Sequence, residues 1–356
     1  MEKSIFSEIL DKALKNSASD IHIGAGERPL MRVDGLLRAA GETVLSEEGF
    51  ELMLEELGCR GSEIFRNERE LDFGCEITVN GTKTRLRINL SYSLGRPAAA
   101  IRIIPPCVRS IEELGLPPVL KELAAGRSGL FLVTGPSGSG KSTTLAAMIE
   151  EINASRAVHI VTVEDPVEYV FEPKRALIHQ REAGRDTRGF AEALRRAMRQ
   201  DPDVIMIGEL RDAETVGAAV SAAETGHLVL STLHSGGAAS GADRIAGFFP
   251  PSAQPQILAR LAQILTGVMS QRLARRAGGG RAAAVELLIA TNAVRSCIRE
   301  GKNAQLADIM RSGAQLGMTT LEQSLAQLCR DGAVDFDEAL SLAPSPEELR
   351  SCLAAL

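Results

Sequence analysis

The chain has 356 residues, 44% of them hydrophobic and 24% charged, which is typical of a globular protein long enough for two domains. Its formal net charge is −6, and it has no Trp and only 2 Tyr. We therefore expect no nucleic-acid partner, because both a basic surface and an aromatic base-stacking platform are disfavoured. We find no apolar run of about 18 residues, so no membrane span is predicted, and any membrane association would come through partners.

The cysteines indicate neither a metal site nor disulfides. No two of the 6 form a C-x₂-C pair, which argues against structural zinc. The N-terminal residues do not resemble a secretory signal peptide. We therefore expect reduced thiols in a cytoplasmic protein.

Residues 1–104 are predicted to form an α+β domain. Apolar residues recur with helical spacing in two segments and alternate with polar residues in four others. The predicted helices are 5–14 and 46–57, and the predicted strands are 19–23, 71–79, 82–90 and 98–104. Asn80-Gly81 separates two of these strands and predicts a tight hairpin.

The rest of the chain is predicted to contain a linker, an α/β core and a helical end. Residues 105–118 hold four prolines and a glycine, so we interpret them as the linker. Over residues 119–285 strands alternate with helices, which favours a parallel sheet covered by helices. Residues 286–356 are predicted to be helical. The predicted helices are 286–298, 304–311, 320–329 and 336–342, with a short helix after Ala343.

Residues 135–142 are the most informative segment. They read Gly-Pro-Ser-Gly-Ser-Gly-Lys-Ser and fit the phosphate-binding pattern G-x-x-x-x-G-K-[ST]. Glycines let the backbone N–H groups turn toward a phosphate chain. Lys141 is expected to reach the β- and γ-phosphates, and the hydroxyl of Ser142 to hold Mg²⁺. The predicted nucleotide-binding residues are Gly135, Pro136, Ser137, Gly138, Ser139, Gly140, Lys141, Ser142 and Thr143.

The neighbouring segments support a nucleotide site. An apolar run at 130–134 precedes the loop, and residues with helical spacing at 143–149 follow it. Strand, glycine loop and helix therefore occur in the order that the pattern requires. We expect ATP and Mg²⁺ as cofactors.

Two further strands are predicted to end in candidate carboxylates. Residues 203–209 form an apolar strand ending in Glu209, as in a Walker B strand that delivers a carboxylate to Mg²⁺ and its waters. Residues 159–166 form another, with Glu164 near its end. Parallel strands place such ends at one edge of the sheet. Either glutamate can polarise the attacking water; we favour Glu164 for the water and Glu209 for the Mg²⁺ shell.

A third apolar strand, at 225–234, carries a histidine at each end. His234 is a candidate sensor of the γ-phosphate, because it follows a strand of the same alternating block. The alternative is an ordinary core or surface histidine, and His227 fits that alternative better.

These motifs together resemble those of the secretion and pilus ATPases. Residues 164–168 (Glu-Asp-Pro-Val-Glu) resemble the Asp box of that family, and 208–212 (Gly-Glu-Leu-Arg-Asp) its Walker B motif. Residues 225–234 resemble its His box. Residues 19–22 and 70–73 are similar to signatures of its N-terminal domain.

The resemblance implies an α/β fold class and a motor function. It implies an N-terminal PAS-like α+β domain, a RecA-like P-loop ATPase domain and a helical C-terminal extension. It also implies Mg²⁺-dependent ATP hydrolysis by a cytoplasmic homohexamer at the inner face of the bacterial inner membrane, with an inner-membrane pilus platform protein as partner.

In such rings the nucleotide lies between the two domains, and arginines of the N-terminal domain reach the phosphates. Arg85, Arg87 and Arg102 match those positions best. An arginine that neutralises the γ-phosphate charge can contribute a rate factor of roughly 10³–10⁵. The alternative is that they are solvated charges on a strand face, with small effects.

Within this family the chain resembles the type IV pilus retraction ATPases most. Extension and type II secretion ATPases usually carry a further N-terminal domain and often a four-cysteine metal site. Residues 293–300 are similar to the retraction motif A-I-R-N-L-I-R-E but differ at Val294, Ser296 and Cys297. Ser235-Gly236 also differs from the usual Thr-Asn after the His box.

The resemblance thus predicts pilus retraction, that is, twitching motility, and three alternatives stay open. One is a pilus extension or type II secretion ATPase. Another is a non-hydrolysing, nucleotide-binding regulatory ring, against which Lys141, Ser142, Glu164 and Glu209 argue. The third is a nucleic-acid translocase, which the acidic charge balance disfavours.

Overall fold

The computed structural model describes residues 4–59, 63–79, 81–104 and 107–355. The chain divides into two compact units. Unit 1 comprises Met1–Cys107 and Pro166–Val170, and unit 2 comprises Val108–Asp165 and Phe171–Leu356.

Unit 1 is an antiparallel sheet with helices, so the predicted α+β character is confirmed. Its helices are α1 (Ile5–Lys15), α2 (Glu47–Glu56) and α3 (Glu63–Glu68), and its strands are β1 (Asp20–Gly24), β2 (Leu30–Val33), β3 (Leu36–Ala39), β4 (Leu71–Val79), β5 (Thr82–Ser93) and β6 (Arg96–Ile104). The strand order is β3-β2-β1-β6-β5-β4. Strands β4 and β5 pair antiparallel, as the predicted hairpin requires. Asn80 of its turn, and Pro105 and Pro106 of the predicted linker, lie outside the described residues.

Helix α1 illustrates why unit 1 folds as it does. The hydroxyl of Ser4 accepts a hydrogen bond from the backbone N–H of Ser7 at 3.0 Å and so caps the first turn. Its buried residues Phe6, Ile9, Leu10 and Ala13 recur at helical spacing, so one face packs into the core of unit 1.

Unit 2 is a mixed sheet whose strands alternate with helices. Its strands are β7 (Gly129–Thr134), β8 (His159–Glu164), β9 (Leu177–Glu182), β10 (Val204–Ile207), β11 (Leu228–Leu233), β12 (Leu265–Arg275) and β13 (Arg281–Ile289). The first helices are α4 (Val119–Ala125), α5 (Lys141–Ser155), α6 (Phe190–Ala197), α7 (Ala213–Glu224), α8 (Gly241–Ala246) and α9 (Gln254–Ile264). Those that follow β13 are α10 (Asn292–Arg299), α11 (Leu306–Ser312), α12 (Leu321–Arg330), α13 (Phe336–Leu342) and α14 (Pro346–Ala355), with short 3₁₀ helices at Asn303–Gln305 and Ala314–Leu316.

The sheet of unit 2 has the order β13-β12-β7-β11-β10-β8-β9. All neighbouring strands run parallel except β12 and β13. Strands β7, β10 and β11 are buried at every residue, which explains their continuous apolar sequences. The predicted parallel sheet is therefore confirmed, and its carboxyl edge gathers the ends of β7, β8, β10 and β11.

The helical prediction for residues 286–298 is wrong at its start. Residues up to Ile289 belong to β13, which pairs antiparallel with β12 from Gly267↔Ile289 to Arg275↔Arg281. Helix α10 begins only at Asn292, where the hydroxyl of Thr291 accepts the N–H of Val294. Leu287 and Leu288 fit a helical period over a short window, but pairing with β12 and burial determine the strand.

The helices beyond α10 confirm the helical prediction for the remaining C-terminal residues. Buried residues of α12, α13 and α14, including Leu325, Ala339 and Leu349, form one cluster with Ala274 of β12 and Ala284 of β13. Among the described residues, every helix is too short or too polar to cross a bilayer.

Candidate active site

The phosphate loop connects β7 to α5. The φ angles of Gly135, Gly138 and Gly140 are +137°, +76° and +89°, values that residues other than glycine rarely adopt. A Cβ atom at Gly135 would lie 2.4 Å from the carbonyl oxygen of Gln271. At Gly140 it would lie 2.7 Å from the amide nitrogen of the same glutamine. The backbone conformation therefore favours glycine at both positions, and at Gly135 the backbone of Gln271 also leaves no space for a side chain.

Lys141 and Ser142 lie in the first turn of α5, whose N-terminus favours anions. Lys141 is buried, and its Nζ donates to the carbonyl oxygens of Gly135 at 3.0 Å and Pro136 at 2.9 Å. Ser142 is exposed. The predicted phosphate-binding lysine is thus held against the phosphate loop by these two hydrogen bonds.

A residue that the sequence did not indicate, Gln271 of β12, supports the loop. Its Nε2 donates to the carbonyl oxygen of Ser139 at 2.7 Å, and its Oε1 accepts from the hydroxyl of Thr144 at 2.7 Å. The side chain is 3% exposed, so both hydrogen bonds are shielded from water. Gln271 therefore ties the loop and the first turns of α5 to the neighbouring strand.

Glu164 is the last residue of β8 and is buried. Its Oε1 accepts hydrogen bonds from the hydroxyl of Thr162 at 2.8 Å and from Nε2 of Gln180 at 3.3 Å. Gln180 lies on β9, so pairing of β8 with β9 helps to orient the carboxylate.

Glu209 lies just beyond β10 and contacts an arginine and a histidine. Nε of Arg211 donates to its Oε2 at 2.8 Å, and Nε2 of His234 lies 3.4 Å from its Oε1. Arg211 also lies 3.7 Å from a carboxylate oxygen of Asp165. The hydrogen bond to Glu209, with the charges of both carboxylates, raises the pKa of Arg211. Arg211 therefore links the end of β10 to the residue that follows β8.

The strand order places these groups in a row. The phosphate loop follows β7, His234 follows β11, Glu209 follows β10 and Glu164 ends β8. Adjacent strands are about 4.8 Å apart, so His234 and Glu209 can touch. The hydroxyl of Thr232 donates to the carbonyl oxygen of Gly208 at 2.6 Å and fixes the backbone just before Glu209.

The residues present fit a phosphate group with Mg²⁺. Ser142 offers an exposed hydroxyl, and Glu209 offers a carboxylate that is 18% exposed; Mg²⁺ prefers oxygen ligands. The buried hydroxyls of Thr134 and Ser139, next to and within the loop, have no hydrogen-bond partner in the part of the chain that the structure describes. Buried polar groups without partners are uncommon, and a bound phosphate would supply acceptors here.

The predicted arginines lie in unit 1. Arg87 of β5 and Arg102 of β6 are cross-strand neighbours. Nε of Arg102 donates to Asp20 at 2.9 Å. Burial alone would raise the pKa of Asp20, but the hydrogen bond from Ser19 and the charge of Arg102 together lower it.

The other two arginines contact the segment Pro166–Val170, which belongs to unit 1. Nη1 of Arg87 donates to Glu168 at 3.2 Å, and Nε of Arg85 donates to the carbonyl oxygen of Val167 at 3.0 Å. All three arginines are therefore engaged by oxygen atoms of unit 1 in this structure.

Residues 1–341 match the family model described as Type II/IV secretion system protein. The chain belongs to the type II/IV secretion system protein family. It is 43% identical to the "Type IV pilus retractation ATPase PilT" of Pseudomonas aeruginosa, over 96% of this chain and 98% of that protein. It is 42% identical to the "Twitching motility protein" of Neisseria gonorrhoeae, over 97% of this chain and 92% of that protein.

A solved structure agrees with the fold. The crystal structure of the pilus retraction motor PilT with bound ADP matches with a TM-score of 0.85 and 41% identity, covering 98% of this chain and 100% of that one. The family expected from the sequence motifs and the α/β fold class are therefore confirmed.

Proposed function

We propose that this chain is an ATPase that hydrolyses ATP with Mg²⁺ and powers type IV pilus retraction. The observation that carries the proposal is the row of groups at one sheet edge: the phosphate loop with Lys141, then His234, Glu209 and Glu164. A relative 43% identical over nearly the whole chain is named a pilus retraction ATPase, which favours the same activity here.

The chemistry follows from the side chains. Lys141 and the backbone N–H groups of residues 135–143 bind the phosphates. Ser142 would be a ligand of Mg²⁺ and Glu209 would lie in its shell, partly through water; the ion, when bound, would supply positive charge for the phosphates. Glu164 orients the attacking water and takes its proton, because Thr162 and Gln180 hold its carboxylate in place. His234 senses the γ-phosphate through its contact with Glu209.

Arg87 and Arg102 add positive charge to the phosphates during turnover. Since Glu168 and Asp20 hold them in this structure, that role requires each arginine to exchange its carboxylate partner for phosphate oxygens. Substituting Arg87 by Ala would then lower the rate of hydrolysis more than the affinity for ADP, because ADP lacks the γ-phosphate.

The assembly is a cytoplasmic homohexamer at the inner face of the inner membrane that acts on a pilus platform protein. Residues 1–104 form a PAS-like domain, 105–118 a linker, 119–285 the RecA-like core, and the residues from 286 onward its C-terminal extension. The division of the chain at Cys107 supports the first boundary. Native mass spectrometry with Mg²⁺ and a non-hydrolysable ATP analogue tests the subunit number.

The deletion phenotype separates retraction from its main alternative. Cells without the protein should be hyperpiliated and unable to twitch, and wild-type protein should restore twitching whereas Lys141→Ala should not. Bald cells would instead identify an extension or secretion ATPase. A wild-type protein that binds ATP but releases no more than one phosphate per site would identify a regulatory ring.

A further inference from the structure

The loop that follows His234 is held by a carboxylate from a distant strand. We call residues 235–240 the Gly237 loop. Oε2 of Glu286, on β13, accepts a hydrogen bond from the backbone N–H of Ala238 at 2.9 Å. A Cβ atom at Gly237 would lie 2.9 Å from the same oxygen, so a side chain at this position would displace the carboxylate.

Hydrogen bonds within the Gly237 loop make it a compact unit. The carbonyl oxygen of Gly237 accepts from the hydroxyl of Ser235 at 3.0 Å and from that of Ser240 at 2.9 Å. The N–H of Gly237 donates to the hydroxyl of Ser240 at 3.2 Å. Fixing Gly237 and Ala238 therefore fixes most of the loop, including the residue that follows His234.

The carboxylate of Glu286 lies in an environment that disfavours its charged form. Burial raises its pKa, and the nearby carboxylate of Glu322 on α12 raises it further, while the Ala238 N–H and Arg272 of β12 oppose the shift. A partly buried carboxylate beside a second carboxylate lowers stability unless it satisfies a specific donor. Here that donor is the N–H of Ala238.

The same strand pair also supports the phosphate loop. Glu286 lies opposite Ser270 of β12, and the next residue, Gln271, holds Ser139 and Thr144. The hairpin of β12 and β13 thus contacts both the phosphate loop and the Gly237 loop. The imidazole of His234 is 44% exposed, so burial alone does not fix its ring beside Glu209.

We propose that Glu286 is a positioning residue for ATP hydrolysis, which fixes the Gly237 loop and thereby places His234 beside Glu209. This inference rests on the proposed function. Glu286 touches neither nucleotide nor Mg²⁺ in this account, so its loss affects the rate of the chemical step and leaves nucleotide binding intact.

The first test compares Glu286→Leu with Glu286→Gln. Because misplacing a group by about 1 Å can cost about 100-fold in rate, we expect Glu286→Leu to lower kcat by roughly 10- to 100-fold, with the Kd for ADP within about threefold of wild type. Glutamine keeps an oxygen acceptor for the Ala238 N–H, so Glu286→Gln should retain kcat within about threefold. Unchanged kcat in Glu286→Leu would overturn the inference.

A matched control separates positioning from damage to the fold. Glu322 of α12 is a buried carboxylate near Glu286, and it accepts a hydrogen bond from the backbone N–H of Ser345. Glu322→Leu should lower the melting temperature but leave kcat within about twofold, because it does not touch the Gly237 loop. Equal losses of kcat in Glu286→Leu and Glu322→Leu would mean that only general destabilisation is measured, which contradicts the inference.

A second variant approaches the contact from the loop side. Gly237→Ala puts a methyl group against Oε2 of Glu286 and leaves the β13 core unchanged, so it keeps the inference testable if Glu286→Leu does not fold. We expect the same loss of kcat with unchanged ADP affinity.

The deciding measurement is a double-mutant cycle with His234. If Glu286 acts through His234, Glu286→Leu in a His234→Ala background should lower kcat by less than about twofold further. Additive losses would overturn the inference while leaving the ATPase intact. A wild-type protein that does not turn over ATP would instead refute the proposed function. In that case, faster hydrogen exchange of the Ala238 N–H in Glu286→Leu than in wild type would still show that Glu286 holds the Gly237 loop.

Discussion

Nε2 of His234 lies 3.4 Å from Oε1 of Glu209, although the two residues follow different strands. Just before them, Thr232 hydrogen-bonds to Gly208 across a separation of 24 residues in the sequence. The contact arises because β10 and β11 are parallel neighbours whose carboxyl ends coincide. It joins a residue that can respond to the γ-phosphate to one that can act on Mg²⁺.

Gln271 should contribute to nucleotide affinity without touching nucleotide. Gln271→Leu removes the hydrogen bonds to Ser139 and Thr144. At about 1 kcal/mol for each of the two buried hydrogen bonds, we expect the Kd for ADP to rise by roughly 30-fold. Isothermal titration calorimetry measures this Kd. Thr144→Val loses one of the two bonds and should show a smaller rise; an unchanged Kd in Gln271→Leu would contradict the role assigned to it.

Arg295, in the segment that resembles the retraction motif, should act through stability. Its guanidinium donates to the carbonyl oxygens of Ala262 at 2.8 Å and Gln263 at 2.6 Å, near the end of α9, and to that of Ala290 at 3.1 Å. Arg295→Ala leaves these acceptors without this donor, and we expect the melting temperature to fall by about 3–8 °C.

Arg299 provides the matched control, since it lies on the same helix but is exposed and donates to Ser296 of that helix. Calorimetry of Arg299→Ala should show a change of less than about 2 °C. Equal shifts for the two variants would refute the stabilising role of Arg295.

Cys75 should react slowly with thiol reagents. Burial raises its pKa to about 11, and the neighbouring Cys59 adds to the shift. At pH 8 only about 0.1% of such a thiol is ionised, and the thiolate is the reactive form. Mass spectrometry after brief iodoacetamide treatment should therefore find the exposed Cys107 alkylated well before Cys75. Equal labelling is expected only in denaturant, and equal labelling of the folded protein would contradict the burial of Cys75.

Local patterns predicted the part of the site that each strand carries at its own end. Strands β7, β8, β10 and β11 are short apolar runs, and each ends in or is soon followed by a glycine loop, an acidic residue or a histidine. Both the strand and its functional residue can therefore be recognised within one short segment of the sequence. Parallel order then brings the ends together without further information.

The supporting residues were not predictable in this way, because they act across pairings of distant segments. Gln271 reaches Ser139 only because β12 pairs with β7, and Gln180 reaches Glu164 only because β9 pairs with β8. A sequence signal for the pairing of β12 with β13 was nevertheless present. Gly278-Gly279-Gly280 separates two apolar segments and is typical of a hairpin turn, which would have corrected the helical prediction for residues 286–289.

Steady-state phosphate release by the purified chain tests the central claim most directly. With ATP and Mg²⁺, wild-type protein should release many phosphates per site, and EDTA should abolish release. Lys141→Ala should lower the rate by at least about 100-fold, because the phosphates lose their bound cation. Lys121→Ala, which removes a half-buried lysine paired with Glu112, should leave the rate unchanged. Equal rates for wild type and Lys141→Ala would contradict the account.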